Sequence, residues 1–135
     1  MPSDKPGAVE AVLLNHPAGV QSALRACRSM IFGVAENHSE IGPLTETLKW
    51  GEPAYLTGVT KSGSTLRLST TRKDHRVALF VNCKTNLIEQ FRTQYPTTFD
   101  YEGARALVLK TPPEEVVLEL EHCIALTLTY HLRKK

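Results

Sequence analysis

The sequence predicts an α+β domain: a mostly antiparallel sheet of about five strands with N-terminal and C-terminal helices packed on it, in the order α-β-β-β-α-β-β-α. Three observations carry that expectation. Apolar residues recur at steps of three and four near both ends of the chain, which marks one face of a helix. Between those ends the period falls to two, as in "STLRLST". Glycine, proline and charged clusters punctuate the joins.

Residues 1–16 read as a flexible tail and short lead-in, and 17–135 as a single domain. Two prolines, a glycine and several charges make 1–7 a loose tail, with a short helical lead-in over 8–14. From "NHPAGV" a longer helix begins. Asn15 or His16 can cap it, and Pro17 suits the first helical position, where its missing N–H would be unpaired anyway. Val20, Leu24, Cys27, Ile31, Val34 and His38 then form one face of about six turns. "IGPLTETLKWGEP" reads as a short helix opened by Pro43, stopped by Gly51 in the left-handed conformation and kept from resuming by Pro53. "AYLTGV" (54–59) reads as a strand, "KSG" as a turn and "STLRLST" (64–70) as its partner. There Leu66 and Leu68 point inward, and Thr65, Arg67 and Ser69 outward.

"RKDHR" supplies the next turn, and "VALFVNC" (77–83), apolar on both faces, suits a central strand. Thr85 or Asn86 caps a helix in which Ile88, Phe91 and Tyr95 share a face, and Pro96 ends it. "TFDYEGARALVLK" reads as two strands about a Glu102-Gly103 turn. "TPPE" (111–114) has the form of a capping box and predicts a helix over 112–133, with Val117, Leu120, Ile124, Leu128 and His131 along one stripe. Glu114 and Glu115 fall at its positive end, and Arg133, Lys134 and Lys135 at its negative end.

Composition narrows the function classes. The 135 residues are enough for one buried core, and 41% apolar with 22% charged residues excludes wholesale disorder. A net charge of +2 is too small to imply a polyanionic partner. No apolar run approaches the roughly 18 residues of a membrane span. The N-terminal stretch lacks a basic n-region and is interrupted by Glu10, which argues against a signal peptide. Cys27, Cys83 and Cys123 are odd in number, widely spaced and without a CxxC. They read as reduced, mostly buried thiols of a cytoplasmic protein.

The segments "LKWGEPAYLT", "STLRLS", "RVALFVNCKTNLIEQFR", "FDYEGARALVL" and "HCIALTLTYHLRKK" together resemble the YdhG-like family of small bacterial domains. The resemblance covers roughly residues 17–135, with "KWGEPAY" and "YEG-R" its most specific parts. It implies an α+β fold and supplies no agreed catalytic motif. Some members have been grouped with frataxin-like iron handling, which makes iron the one cofactor the resemblance implies. That role calls for an acidic exposed surface, and this chain is slightly basic.

Trp50, Glu52 and Tyr55 gather at one corner, and Tyr101, Glu102 and Arg105 at a second. Brought together, they would bind a small polar ligand: Trp50 and Tyr101 as walls, Arg105 pairing with an anion, Glu52 orienting a donor. The plainer reading has Trp50 plugging the core, with Glu52 and Arg105 exposed or paired. Glu115, Glu119 and His122 share a helical face, and Glu119-x-x-His122 matches half of a di-iron carboxylate pattern, but the first long helix offers only Glu36 and His38, on different faces. Cys83 stands just before a helix, where unpaired N–H groups can activate a thiol, yet no base is identifiable for it. No GxSxG, HExxH, P-loop or GxGxxG occurs. Lys61, Arg67, Arg72, Lys73 and Arg76 against Asp74 make 61–76 locally basic, without aromatics to stack bases.

The expectation is therefore a binding or accessory module for a small ligand or protein partner, rather than an enzyme. A Cys83 enzyme, a frataxin-like iron binder and a weak nucleic-acid binder through 61–76 stand as alternatives. Exposed sheet edges make a homodimer plausible.

Overall fold

The computed structural model describes residues 7–133; the tail expected before Gly7, and Lys134 and Lys135, lie outside the described residues. Six strands form one sheet: β1 (Thr45–Lys49), β2 (Glu52–Leu56), β3 (Leu66–Thr70), β4 (Val77–Phe80), β5 (Asp100–Glu102) and β6 (Ala106–Val108). Their spatial order is β1-β2-β3-β4-β6-β5, with every neighbouring pair antiparallel. The helices are α1 (Ala8–Leu14), α2 (Ala18–Glu36), α3 (Leu87–Gln94), α4 (Val117–Leu128) and α5 (Tyr130–Arg133), with a 3₁₀ turn at Pro113–Glu115. The fold is α+β, as the periodicities predict. No helix among the described residues is long and apolar enough to cross a membrane.

Alternation decides which side of the sheet meets the helices. Leu66 and Leu68 of β3, Val77 and Leu79 of β4, and Leu107 of β6 share one buried cluster with helical residues such as Leu24, Ile31, Phe91 and Ile124. Each buried leucine contributes about 1.5–3 kcal/mol by leaving water. Leu13 of α1 belongs to the same core, so the lead-in helix is part of the packed structure.

The sheet has six strands rather than five because "LTETLKW" is not the expected short helix. Pro43 and Gly51 look like helix brackets, but Thr45–Lys49 pairs along its whole length with Glu52–Leu56, Lys49 facing Glu52. Trp50 and Gly51 are the two central residues of the hairpin, with φ of 57° and 75°. Two successive positive φ values are what a type I′ turn requires, because its twist matches that of the flanking strands.

The hairpin is tied to α2 by charge. Arg28 donates to Glu46 from Nε at 2.5 Å and from Nη2 at 2.8 Å, and the Tyr55 hydroxyl donates to the same carboxylate at 2.8 Å. Burial alone would raise the Glu46 carboxyl. The bonds from Arg28 and Tyr55 and the guanidinium charge outweigh it and hold the group below the ordinary carboxylate value. Burial, with the Glu46 bond and charge, pushes the Tyr55 phenol upward.

The helix expected over 112–133 is interrupted twice. No side chain caps its start, so the expected box at Thr111 and Glu114 does not form, and Pro113–Glu115 is a 3₁₀ turn. At the far end Thr129, with φ −116°, separates α4 from α5. The cause is tertiary. The 57–65 loop docks there: the Ser64 N–H donates to the Thr127 carbonyl at 3.0 Å and the Ser62 hydroxyl to that of Leu128 at 2.9 Å. The His131 N–H donates in turn to the Ser62 carbonyl at 2.9 Å. Carbonyls that a helix end leaves unpaired are thus satisfied from the loop. Gly63 permits this approach, since a Cβ there would lie 2.3 Å from the Leu128 carbonyl oxygen. Val117 and His131 fall outside the buried stripe, which runs through Val116, Leu120, Cys123, Ile124, Thr127 and Leu128.

Candidate functional site

On the opposite face of the sheet the alternating residues are small. Ala78, Ala106 and Val108, with Phe80, form a separate cluster that contains no helical residue. Ala54, Ala78 and Ala106 are 0% exposed although no helix lies in that cluster. Phe80 packs against Ala78, Ala106 and Val108.

One row of register partners explains the shape. Across the sheet run Ala54, Arg67, Phe80, Ala106 and Glu102, each facing the next on the neighbouring strand. Alanines next to long side chains leave a hollow of about 380 Å³, lined by Glu52, Arg67, Thr70, Arg72, Phe80, Glu102 and Arg105. The Arg67 guanidinium lies 5.4 Å from the Phe80 ring centroid, and its Nη1 donates to Glu52 at 2.5 Å. These two contacts hold it in place. Arg72, Arg105 and Glu102 also line the hollow, and among the described residues their charged groups have no ion-pair or hydrogen-bond partner.

A smaller hollow of about 220 Å³ adjoins the first, lined by Lys49, Trp50, Thr65, Arg67, Val81 and Asn82. Arg67 is common to both.

The residues singled out in the sequence are divided by this geometry. Glu52 and Arg105 line the larger hollow together, and Trp50 the smaller one. Trp50 is neither core plug nor helix-to-strand corner: it stands at a hairpin tip, 88% exposed. Tyr55 is 0% exposed, faces Leu66 in register and packs edge-on against Phe32 of α2. Tyr101 faces Leu107 on the helical side, and its hydroxyl donates to the carbonyls of Tyr95 at 2.8 Å and Phe91 at 3.2 Å. Burial pushes its phenol up to about 12. Neither tyrosine is a wall of the hollow, because parity along the strand places both on the other face. Glu52 pairs with Arg67 rather than with Arg105.

The other candidates fare differently. Among the described residues no three histidine, cysteine or carboxylate side chains gather to hold a metal. The Nδ1 of His122 instead meets the Tyr95 hydroxyl at 2.7 Å, Glu115 sits in the 3₁₀ turn and Glu119 in the first turn of α4. Cys27 and Cys123 are buried, and burial pushes both thiols up to about 12. Cys83 is exposed in the turn before α3. The basic segment is partly neutralised, Arg67 by Glu52 and Arg76 by Asp100 at 2.8 Å.

Sequence reasoning put Arg67 on the outward face of a strand and Arg72 in the next turn, counted both in a basic segment, and left Thr70 and Phe80 without a role. The available signal was outward parity: Arg67 in "STLRLST" and Phe80 in "VALFVNC" meet across a single short turn. No family model, curated protein or solved structure matches the chain.

Proposed function

We propose that the protein is a binding module for a small organic anion, held in the hollow on the helix-free face of the sheet. One observation carries this: Arg72 and Arg105 line a concave site without partners of their own, beside Arg67, which is already oriented by Glu52 and Phe80. Once Glu52 has neutralised Arg67, two guanidiniums face one carboxylate, Glu102. Planar guanidinium forks match carboxylate and phosphate oxygens in a bidentate manner, and a partly enclosed wall strengthens the pairing. Glu102 would take a hydroxyl or amine of the same ligand.

A volume of about 380 Å³ suits a metabolite-sized molecule. Cys83 is not among the residues that line the hollow. This favours a module without catalysis over the Cys83 alternative. Membership of the YdhG-like family belongs to the same proposal. It rests on "KWGEPAY" and "YEG-R", which contribute Glu52 at one edge of the hollow and Glu102 and Arg105 at the other. We place the module in the cytoplasm on its free thiols.

Calorimetric titration with inorganic phosphate and a panel of mono-, di- and tricarboxylates tests the reading. Saturable binding that Arg105→Ala and Arg72→Ala each weaken at least about tenfold, and that falls with salt, is expected. Binding that survives the double variant would remove the hollow from consideration.

A further inference from the structure

The indole of Trp50 is explained neither by packing nor by its turn. At 88% exposure it contributes nothing to the core. At φ 57° it occupies a left-handed position that type I′ turns give to asparagine, aspartate or glycine, and that a bulky side chain rarely adopts. A residue held in such a conformation, with its side chain in water, directs attention to what the side chain meets. Its surroundings are specific. The indole lines the hollow of about 220 Å³ together with Lys49, Thr65, Val81 and Asn82, and Arg67 forms the shared boundary with the anion hollow.

From this we infer that the two hollows are one bipartite site, and that its ligand is an aromatic anion: a planar ring on Trp50 carrying a carboxylate or phosphate that reaches the guanidiniums. The inference rests on the anion-binding reading and adds the ring. Indole is the best aromatic partner for stacking, because its large face offers contact area at little conformational cost. The Asn82 amide and Thr65 hydroxyl offer a donor and acceptors for heteroatoms on a ring edge. Arg67, pinned by Glu52 and Phe80, stands between the ring end and the anionic end.

The test compares four probes by calorimetry on the full chain: adenosine monophosphate, phenylacetate, ribose 5-phosphate and adenosine. They separate ring with phosphate, ring with carboxylate, phosphate without ring, and ring without anion. The first or the second is expected to bind at least about tenfold more tightly than ribose 5-phosphate or adenosine, which is the scale of one stacked ring. Which of the two wins identifies the anion. The same ligand should quench Trp50, the only tryptophan in the chain. In Trp50→Asn, a substitution the turn favours, affinity for the ring-bearing anion is expected to drop to that of the ringless one.

Equal affinity for ringed and ringless anions, unchanged by Trp50→Asn, would overturn the bipartite site while leaving the anion hollow standing. Failure of all four probes, together with phosphate and the carboxylates, would overturn both. A short single-stranded oligonucleotide binding far more tightly than adenosine monophosphate would replace the small-molecule ligand with a nucleic-acid strand.

Discussion

The two faces of this sheet are made by the same strands and come out differently. Toward the helices, β3, β4 and β6 present Leu66, Leu68, Leu79 and Leu107. Away from them the intervening positions are Ser69, Ala78 and Ala106, interrupted by Arg67 and Phe80. Large side chains fill the space between sheet and helices, and small ones on the other side leave space unfilled. Leu79 at 2% and Ala106 at 0% are equally hidden from water, for different reasons. The leucine is enclosed by a core. The alanine lies in a small cluster with Ala78, Val108 and Phe80 on the face turned away from the helices. Burial by itself therefore does not mark the core; the identity of the covering group does.

The largest test of that contrast is mutational. Leu68→Ala is expected to destabilise the protein by about 2–5 kcal/mol in urea unfolding, whereas its neighbour Ser69→Ala should change stability by less than about 0.5 kcal/mol. Equal losses would break the distinction between the faces. Next comes the charged tie on the helical side. Glu46→Ala removes bonds to Arg28 and Tyr55 and should destabilise by about 1.5–3 kcal/mol, the range for hydrogen bonds to charged groups. The Glu46 carboxyl is lowered in the fold, so its stabilisation is complete above the unfolded value of about 4.3 and is lost as pH falls through the folded value. As pH falls below the ordinary carboxylate value the parent should thus lose more stability than Glu46→Gln, as measured by thermal melts.

Much of the fold was legible because periodicity survives in it. Ala18–Glu36 follows the predicted stripe, and Leu66 and Leu68 point inward as alternation required. What failed did so for identifiable reasons. In "LTETLKWGEP" the proline and glycine look like helix brackets, yet two five-residue runs separated by Trp50-Gly51 also fit a hairpin, and pairing with β3 decides for the strand. The break at Thr129 has no glycine or proline to announce it, because its cause lies in a loop more than sixty residues earlier. Half of the candidate site was visible as Glu52 and Arg105. Its centre, Arg67 over Phe80, depends on the register between strands, which no single segment reveals.

Smaller effects sharpen the contrast on the charged face. Arg67→Ala should destabilise by no more than about 1 kcal/mol, because its ion pair with Glu52 is partly exposed, and yet anion binding should be lost. A change of similar size has the opposite sign. Trp50→Gly relieves a left-handed tryptophan and should stabilise the hairpin by about 1 kcal/mol, read as a small rise in Tm, while weakening any ring-bearing ligand.

The docking of residues 62–64 onto the end of α4 also has a kinetic side. The Ser64 amide is bonded to Thr127 and the His131 amide to Ser62, so each segment protects the other. Neither amide can exchange its hydrogen with solvent until both segments part. In native-state hydrogen exchange they should report one opening free energy and one response to denaturant, although they lie on opposite sides of a contact between distant parts of the chain. The four residues of α5, too few to persist as a helix alone, are thereby held by the middle of the sequence and should fray only when the β2–β3 loop lifts away.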